Sequence, residues 1–316
     1  MILLSLKSGK LIRMLESLEF VVPKLLRLGT RGSALAQVQT QMVKANILSK
    51  YPSIDVQIVS IMTQGDRDKS TDLKDLGGKG VFIKELEHAL LDDKIDIAVH
   101  SFKDVTSRLA EGCCLEGFFT PETQSDVLVY SKPLEELKNP VIGTGSARRQ
   151  AWLEMTLPNW SCVPIRGNVD TRLNLVGKTV DGVMLSYAGL IRLNKKPQFY
   201  EVLDPSFCYP APGQGVICLE TVTGKNEMVK ICRSVSDSNQ LKISKMEYEL
   251  LKAIEFDCNI PLGITSELRG NEFEVKWFFK TGGSISQIHK GKELFLVDSH
   301  VKSIQLFGES LKRLSS

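Results

Sequence analysis

The side chains able to do chemistry in this sequence gather behind short apolar runs. Arg31 and Ser33 follow "LLRLGT", His100-Ser101-Phe102-Lys103-Asp104 follow "DIAV", Arg148 and Arg149 follow "VIGTGS", and Arg166 follows "CVPI". Arg172 opens the next helical segment and Arg192 closes "AGLIRL". In open α/β sheets, strand ends are where ligands bind. Six arginines and one lysine at such places are hard to explain as packing, because an unpaired buried cation is costly. A ligand bearing several anionic groups would satisfy them. Guanidinium forks suit carboxylates, since both oxygens of the carboxylate are met at once.

Each motif also has a plainer reading. "IGTGSARRQAWLEM" (142–155) reads as a strand end, a tight glycine turn, and Thr144 or Ser146 capping a helix whose first turn holds Arg148 and Arg149. Amide N–H groups and the helix dipole already attract anions there. The run G-T-G-S-A-R lacks the third glycine of a dinucleotide fingerprint. Taken alone, Arg148-Arg149 reads as a solvated helix face, and only the other basic positions tip the balance. Asp104, alone, reads as an ion-pair partner of Lys103 or an arginine. Within a mostly cationic cleft, it is instead placed to stabilise a cation formed during reaction or to pass a proton. Cys258 reads by spacing as a buried thiol.

The elements that must position these groups follow from periodicity. "LLRLGTR" reads as strand, "SALAQVQTQMVKANILSKY" as amphipathic helix and "DVQIVSIMT" as strand, the alternation of an α/β sheet. A long polar loop, "QGDRDKSTDLKDLGGKG", precedes the helix "VFIKELEHALLDD" and the strand "DIAVHS". A loop of that length in a compact domain is more often functional or mobile than idle. A second α/β run extends from "DVLVYS" to "GVMLSYAGLIRL". Pro210, Pro212, Gly213 and Gly215 then mark a crossing between domains, and "VICLE" is a returning strand. Beyond about Ile243 the pattern becomes a helix, "SKMEYELLKAIEF", hairpin-like alternation in "FEVKWFFKTGGSISQIHKG", and a terminal helix. The predicted division is an N-terminal extension (1–24), an α/β domain (25–120 with 216–238), a second α/β domain (121–215) flanking a cleft, and a small C-terminal α+β domain (239–316).

Composition bounds the function. The chain has 316 residues and a net charge of +3, without a Lys/Arg block or aromatic-basic interleaving, which argues against nucleic acid as a partner. Seven cysteines form no C-x-x-C pair, and the odd count argues against a disulfide framework and for a reducing, intracellular setting. The histidines (88, 100, 289, 300) lack zinc-site spacing. The first 24 residues are apolar but interrupted by Lys7, Lys10, Arg13, Glu16 and Glu19, so neither a signal peptide nor a membrane span is expected.

Taken in order, "LGTRGSALAQVQ", "GGKGVFIKELEHALL", "DIAVHSFKD", "GTGSARRQ", "RGNVDTRL", "AGLIRL", "PAPGQG" and a cysteine ahead of "NIPLG" resemble the hydroxymethylbilane synthase (porphobilinogen deaminase) family. The resemblance runs from about Leu26 to Gly263. It implies two domains like those of periplasmic binding proteins, a third domain, and a dipyrromethane cofactor attached covalently through Cys258. The implied activity is that of a transferase for tetrapyrrole (haem) biosynthesis. It condenses four porphobilinogen molecules head to tail, releases ammonia each time, and hydrolyses the chain off as hydroxymethylbilane. The implied setting is a cytoplasmic monomer that passes product to a downstream tetrapyrrole enzyme.

Every pyrrole ring of such a chain carries an acetate and a propionate, which accounts for the arginines. The resemblance assigns the catalytic role to Asp104, beside the electron-poor azafulvene left when ammonia departs. It assigns cofactor contacts to Arg31, Ser33, Lys103, Thr144, Ser146, Arg148, Arg149, Arg172 and Gly189. Substrate contacts fall on Arg31, Phe82, Arg149, Arg166, Arg172, Arg192 and Gln214, and the loop from Asp66 to Gly80 is implied to be a lid. Two positions depart from the family pattern: Thr106 replaces a proline, and Phe256-Asp257 replace Gly-Gly before Cys258. The alternative is a non-catalytic two-lobed binding protein for a small polycarboxylate, which would explain the arginines but neither Asp104 nor Cys258.

Overall fold

The structure, a computed structural model, describes residues 22–63, 65, 80, 83–255, 260–281, 287–298 and 300–315. Phe82, Phe256, Asp257, Cys258 and the expected lid up to residue 79 lie outside the described residues.

The first lobe is a five-stranded sheet of order β2-β1-β3-β10-β4, made of β1 (Leu25–Arg31), β2 (Asp55–Ile61), β3 (Ile97–Ser101), β4 (Cys113–Phe119) and the late strand β10 (Ile217–Val222). β1 pairs in parallel with β2 and β3, while β10 runs antiparallel between β3 and β4. Leu26 and Leu28 of β1 and Ile97 and Val99 of β3 alternate along their strands and share one core, while Ala98 packs with Leu86 and Leu90 on the other face. Helices α1 (Ala34–Lys50) and α2 (Lys84–Leu91) flank the sheet. Val43 and Ile47 of α1 point into the core at helical spacing.

The second lobe repeats the plan with the order β7-β6-β8-β5-β9. Its strands are β5 (Asp126–Tyr130), β6 (Val141–Gly143), β7 (Ser161–Val163), β8 (Gly182–Ser186) and β9 (Phe199–Val202). Between them lie α3 (Ala147–Thr156), α4 (Val169–Leu173) and α5 (Tyr187–Arg192). The chain leaves the first lobe after Phe119 and returns to it at Ile217, so two crossings join the lobes. Gly215 shows why the return needs glycine: its φ is +81, and a Cβ there would collide with the Thr123 carbonyl of the outgoing crossing. After β10, α6 (Asn226–Ser234) packs Met228, Ile231 and Cys232 into the first core.

The third unit is α7 (Ser238–Ala253), the antiparallel sheet β11 (Leu262–Arg269), β12 (Glu272–Lys280) and β13 (Ile288–Leu296), and α8 (His300–Ser315). Met246, Leu250, Ile264, Val275, Phe295, Ile304 and Leu311 form its own core. Helix α7 starts six residues before the "SKMEYELL" run suggests. Asp237 accepts a hydrogen bond from the Gln240 amide at 2.8 Å, and this cap recruits the polar Ser238-Asn239 stretch into the first turn. The unit touches both lobes. Lys245 on α7 pairs with Glu116 on β4 at 2.8 Å, and Lys280 on β12 pairs with Glu154 on α3 at 2.6 Å.

Candidate active site

The candidate groups collect at the carboxyl ends of the parallel strands in both lobes, the position expected of a ligand crevice. In the first lobe β1 delivers Arg31 and Ser33, and the Ser33 hydroxyl caps α1 by accepting from the Ala36 amide at 3.4 Å. β3 runs into a 3-10 turn, Phe102–Asp104, that carries Lys103 and Asp104. Phe102 is fully buried under that turn, edge-on to Phe118 at 5.1 Å between ring centres, so the two polar neighbours are held by an apolar anchor. His100, one residue before β3 ends, is taken up by Glu220 of β10 at 2.8 Å.

In the second lobe β6 ends at Gly143. Thr144 is buried, and its hydroxyl accepts from the Ser146 amide at 3.2 Å. Ser146 caps α3 by accepting from the Arg149 amide at 3.4 Å. A Cβ on Gly145 would lie 2.8 Å from the Ile165 carbonyl, so only glycine lets this turn pass the strand-end segment that leads to Arg166. Arg172 sits on α4, its Nε donating to the Gly167 carbonyl at 2.8 Å. Gly189 is buried on α5, where a Cβ would meet Leu35 of α1 at 3.7 Å, so the two lobes come into contact here.

Electrostatics link the two sides. Burial pulls the Lys103 amine down to about 8, with Arg149 and Arg172 pushing the same way and Asp104 and Asp126 opposing. Burial likewise lowers Arg172 to about 10, with Arg149 and Arg166 adding and Asp104 opposing. Lys103, Asp104, Arg149, Arg166 and Arg172 therefore feel one another across the cleft. Asp104 is the carboxylate that opposes both shifts, acting on Lys103 and on Arg172.

Four of the residues expected to contact cofactor or substrate have protein partners of their own. Arg148 and Arg149 are neither a solvated face nor free forks. They are 4% and 6% exposed and converge on Asp126, a fully buried carboxylate at the start of β5. Arg148 Nη1 meets Asp126 Oδ2 at 2.7 Å, and Arg149 Nε and Nη2 donate to Oδ1 at 3.0 and 2.9 Å. Burial alone would raise the Asp126 carboxyl, but the two guanidiniums overcome it and hold it well below the usual range. Arg192, expected at the substrate, has its fork closed on Glu122 at 3.1 and 2.7 Å, and it also donates to the Gly215 carbonyl at 2.6 Å. It ties the outgoing crossing to the returning one. Gln214, likewise expected at the substrate, is fully buried and donates to the Gln124 carbonyl at 2.7 Å and to Asp126 at 2.9 Å.

Sequence reasoning missed Asp126 because an acid opening the apolar run "DVLVY" looks like a strand-edge residue. Its one signal is that a strand buried on both faces leaves no room for an unpaired carboxylate. Among the described residues, even with Asp126 counted, cations outnumber anions at these strand ends. The buried Nε of Arg148 also has no hydrogen-bond acceptor among the described residues. A carboxylate-bearing group such as dipyrromethane fits both the charge excess and the orphaned donor. The attachment position, Cys258, lies outside the described residues. The other six cysteines are free thiols.

Comparison with known proteins places this geometry. Residues 26–230 match a family model described as "Porphobilinogen deaminase, dipyromethane cofactor binding domain". Porphobilinogen deaminase of Rickettsia bellii (strain OSU 85-389) is 39% identical over 251 residues, covering 78% of this chain and 84% of the relative. The enzyme of the same name from Rickettsia typhi is 39% identical over 247 residues, covering 77% and 83%. Among solved structures, the VFT2 domain of Bordetella pertussis BvgS is 13% identical with a TM-score of 0.43, covering 71% of this chain and 92% of that one. The two-lobed α/β architecture rests on the strand orders themselves. The family match over most of the first two lobes, together with the ordered site motifs, shows that this chain belongs to the porphobilinogen deaminase family.

Proposed function

We propose that this chain is a hydroxymethylbilane synthase that condenses four porphobilinogen molecules head to tail with loss of four ammonia molecules. The observation that carries the reading is the cluster of basic side chains around Asp104, with Lys103 pulled down to about 8 and Arg172 to about 10 by burial and by neighbouring guanidiniums, an arrangement suited to bound negative charge. Substrates bearing two carboxylates per ring supply that charge. No observation favours the alternative of a non-catalytic binding protein.

Within this reading, Arg31, Lys103, Arg148, Arg149 and Arg172, with the capped turns at Ser33, Thr144 and Ser146 and with Gly189, hold the cofactor, while Arg31, Arg149, Arg166 and Arg172 bind substrate carboxylates. The dipyrromethane group, attached through Cys258, supplies the pyrrole terminus from which the product grows. Asp104 acts on the incoming porphobilinogen. As its aminomethyl C–N bond breaks and ammonia leaves with the bonding pair, the positive charge spreads onto the pyrrole nitrogen, and the Asp104 carboxylate accepts that N–H and stabilises the charge. Because the turn carrying Asp104 is anchored by Phe102, one carboxylate serves each cycle. Arg192 and Gln214 serve the crossings between lobes. Phe82 is assigned to packing over the cofactor region by resemblance alone.

The domain limits adopted are 25–120 with 216–238, 121–215, and 239–316, supported by the membership of the three sheets. No described helix is long and apolar enough to cross a membrane. A cytoplasmic monomer that hands its product to a downstream tetrapyrrole enzyme is the setting we assign. The test is to mix purified protein with porphobilinogen and follow ammonia release and hydroxymethylbilane formation. Equimolar ammonia per porphobilinogen consumed is expected, and binding without consumption would overturn the assignment.

A further inference from the structure

Asp126 stands outside the residues expected to meet substrate, yet five side-chain bonds of the cleft wall converge on its carboxylate. It accepts from Arg148, twice from Arg149, from Gln214 at 2.9 Å, and from the Cys208 thiol at 3.4 Å. The network continues into both chain crossings. Gln214, on the returning crossing, also donates to the Gln124 carbonyl on the outgoing one at 2.7 Å. Arg148 donates to Gln214 Oε1 at 3.3 Å and to the Tyr209 carbonyl at 2.7 Å. One carboxylate thereby joins the first turn of α3 to both connections between the lobes.

The donor count shows what this achieves. A guanidinium has five N–H groups in a rigid fork. On Arg149, Asp126 takes Nε and one donor of Nη2, and the Met184 carbonyl takes one donor of Nη1 at 3.0 Å. On Arg148 the buried Nε–H has no acceptor among the described residues. Two guanidiniums facing one carboxylate keep a net positive charge, so Asp126 aims the pair without cancelling it. Neither arginine can rotate without breaking a buried charged bond, which is costly.

We propose that Asp126 is a positioning residue: it fixes the Arg148–Arg149 pair toward the carboxylates of bound pyrroles and, through Gln214 and Tyr209, couples that orientation to the two crossings between lobes. The proposal rests on the function assigned above. A growing chain that alters the angle between the lobes alters the grip of both arginines through these bonds.

The experiment compares wild type, Asp126→Asn and the near-isosteric Gln214→Met. The readouts are intact mass as purified, the mass distribution of enzyme–pyrrole complexes after limiting porphobilinogen, KM and kcat, and the melting temperature. A residue that only stabilises the fold would lower the melting temperature and leave the kinetics of the folded protein alone. Gln214→Met is expected to fold and load cofactor, to raise KM about tenfold, the loss of roughly one hydrogen bond to a charged group, and to shift the complexes toward fewer bound pyrroles. Asp126→Asn is expected to change both in the same direction and further. Wild-type KM and complex distribution in the folded variants would overturn the proposal. If Asp126→Asn does not fold, Gln214→Met decides. Wild type without a mass increment or turnover would sink the assigned function, and this proposal with it, before any variant is compared. With wild type active, the variants judge Asp126 alone.

Discussion

Glu247 gives a pH dependence that can be worked through. It lies on α7, 2% exposed, where the third unit meets the returning crossing, and it accepts the Gly213 amide at 2.9 Å. Burial pushes its carboxyl up to about 7, with Ser266 and the Gly213 N–H opposing and no cation contributing. A carboxyl raised on folding binds its proton more tightly in the native state than in the unfolded one. Its contribution to stability is therefore fully present below its ordinary value of 4.5 and is lost as pH rises through about 7. That interval corresponds to on the order of 3 kcal/mol. At about 2–4 °C per kcal/mol, it amounts to several degrees of melting temperature. Glu247→Gln keeps an acceptor oxygen for the Gly213 amide and removes the titration. In calorimetric scans the variant is expected to melt within about 1–2 °C of wild type at pH 5 and about 6–12 °C above it at pH 8.5. A difference that does not change with pH would refute the reasoning, and so would a variant less stable than wild type at pH 8.5.

Asp104→Asn removes charge with almost no change of volume. It is expected to keep the fold and lose on the order of 100-fold or more in turnover, measured by porphobilinogen consumption. Near wild-type rates would remove Asp104 from the chemistry. Arg149→Leu strips two bonds from Asp126 and is expected to cost about 3–5 kcal/mol, read by thermal or denaturant unfolding. Lys195→Ala breaks an exposed pair with Asp170 (2.5 Å) and should cost about 0–1 kcal/mol. Equal costs for these two would mean that Arg149 is not held as described. Gly215→Ala forces a Cβ against the Thr123 carbonyl at positive φ and is expected to cost more than about 2 kcal/mol, whereas a neutral result would show that the crossing can relax.

Much of this was legible in the sequence because the relevant periodicities are local. The strand "LLRLGTR" is β1 as written, and "VICLE" runs from the residue before β10 through its first four. Placing Ser146 as the cap of α3 needed only its hydroxyl and the helical run behind it. Asp104 stood out by its charge among cations. What sequence could not supply were pairings across long separations. Asp126 lies more than twenty residues from the arginines it holds and almost ninety from Gln214, and nothing local marks an acid as buried. For the same reason nothing near Arg192 in the sequence shows that its fork closes on Glu122, seventy residues away. The start of α7 slipped because Ser238-Asn239-Gln240 carries no apolar period, and only the Asp237 cap reveals it.

The central claim is that this chain builds its product on a covalent primer held by Cys258 and by the cationic cleft. Intact-mass measurement of freshly purified protein, followed by peptide mapping and addition of porphobilinogen, tests it most directly. The account predicts an increment equal to one dipyrromethane located on Cys258, absent from Cys258→Ser, and further increments of one pyrrole unit when limiting porphobilinogen is added. A chain with its unmodified mass, unchanged after exposure to porphobilinogen or preformed hydroxymethylbilane, would contradict it.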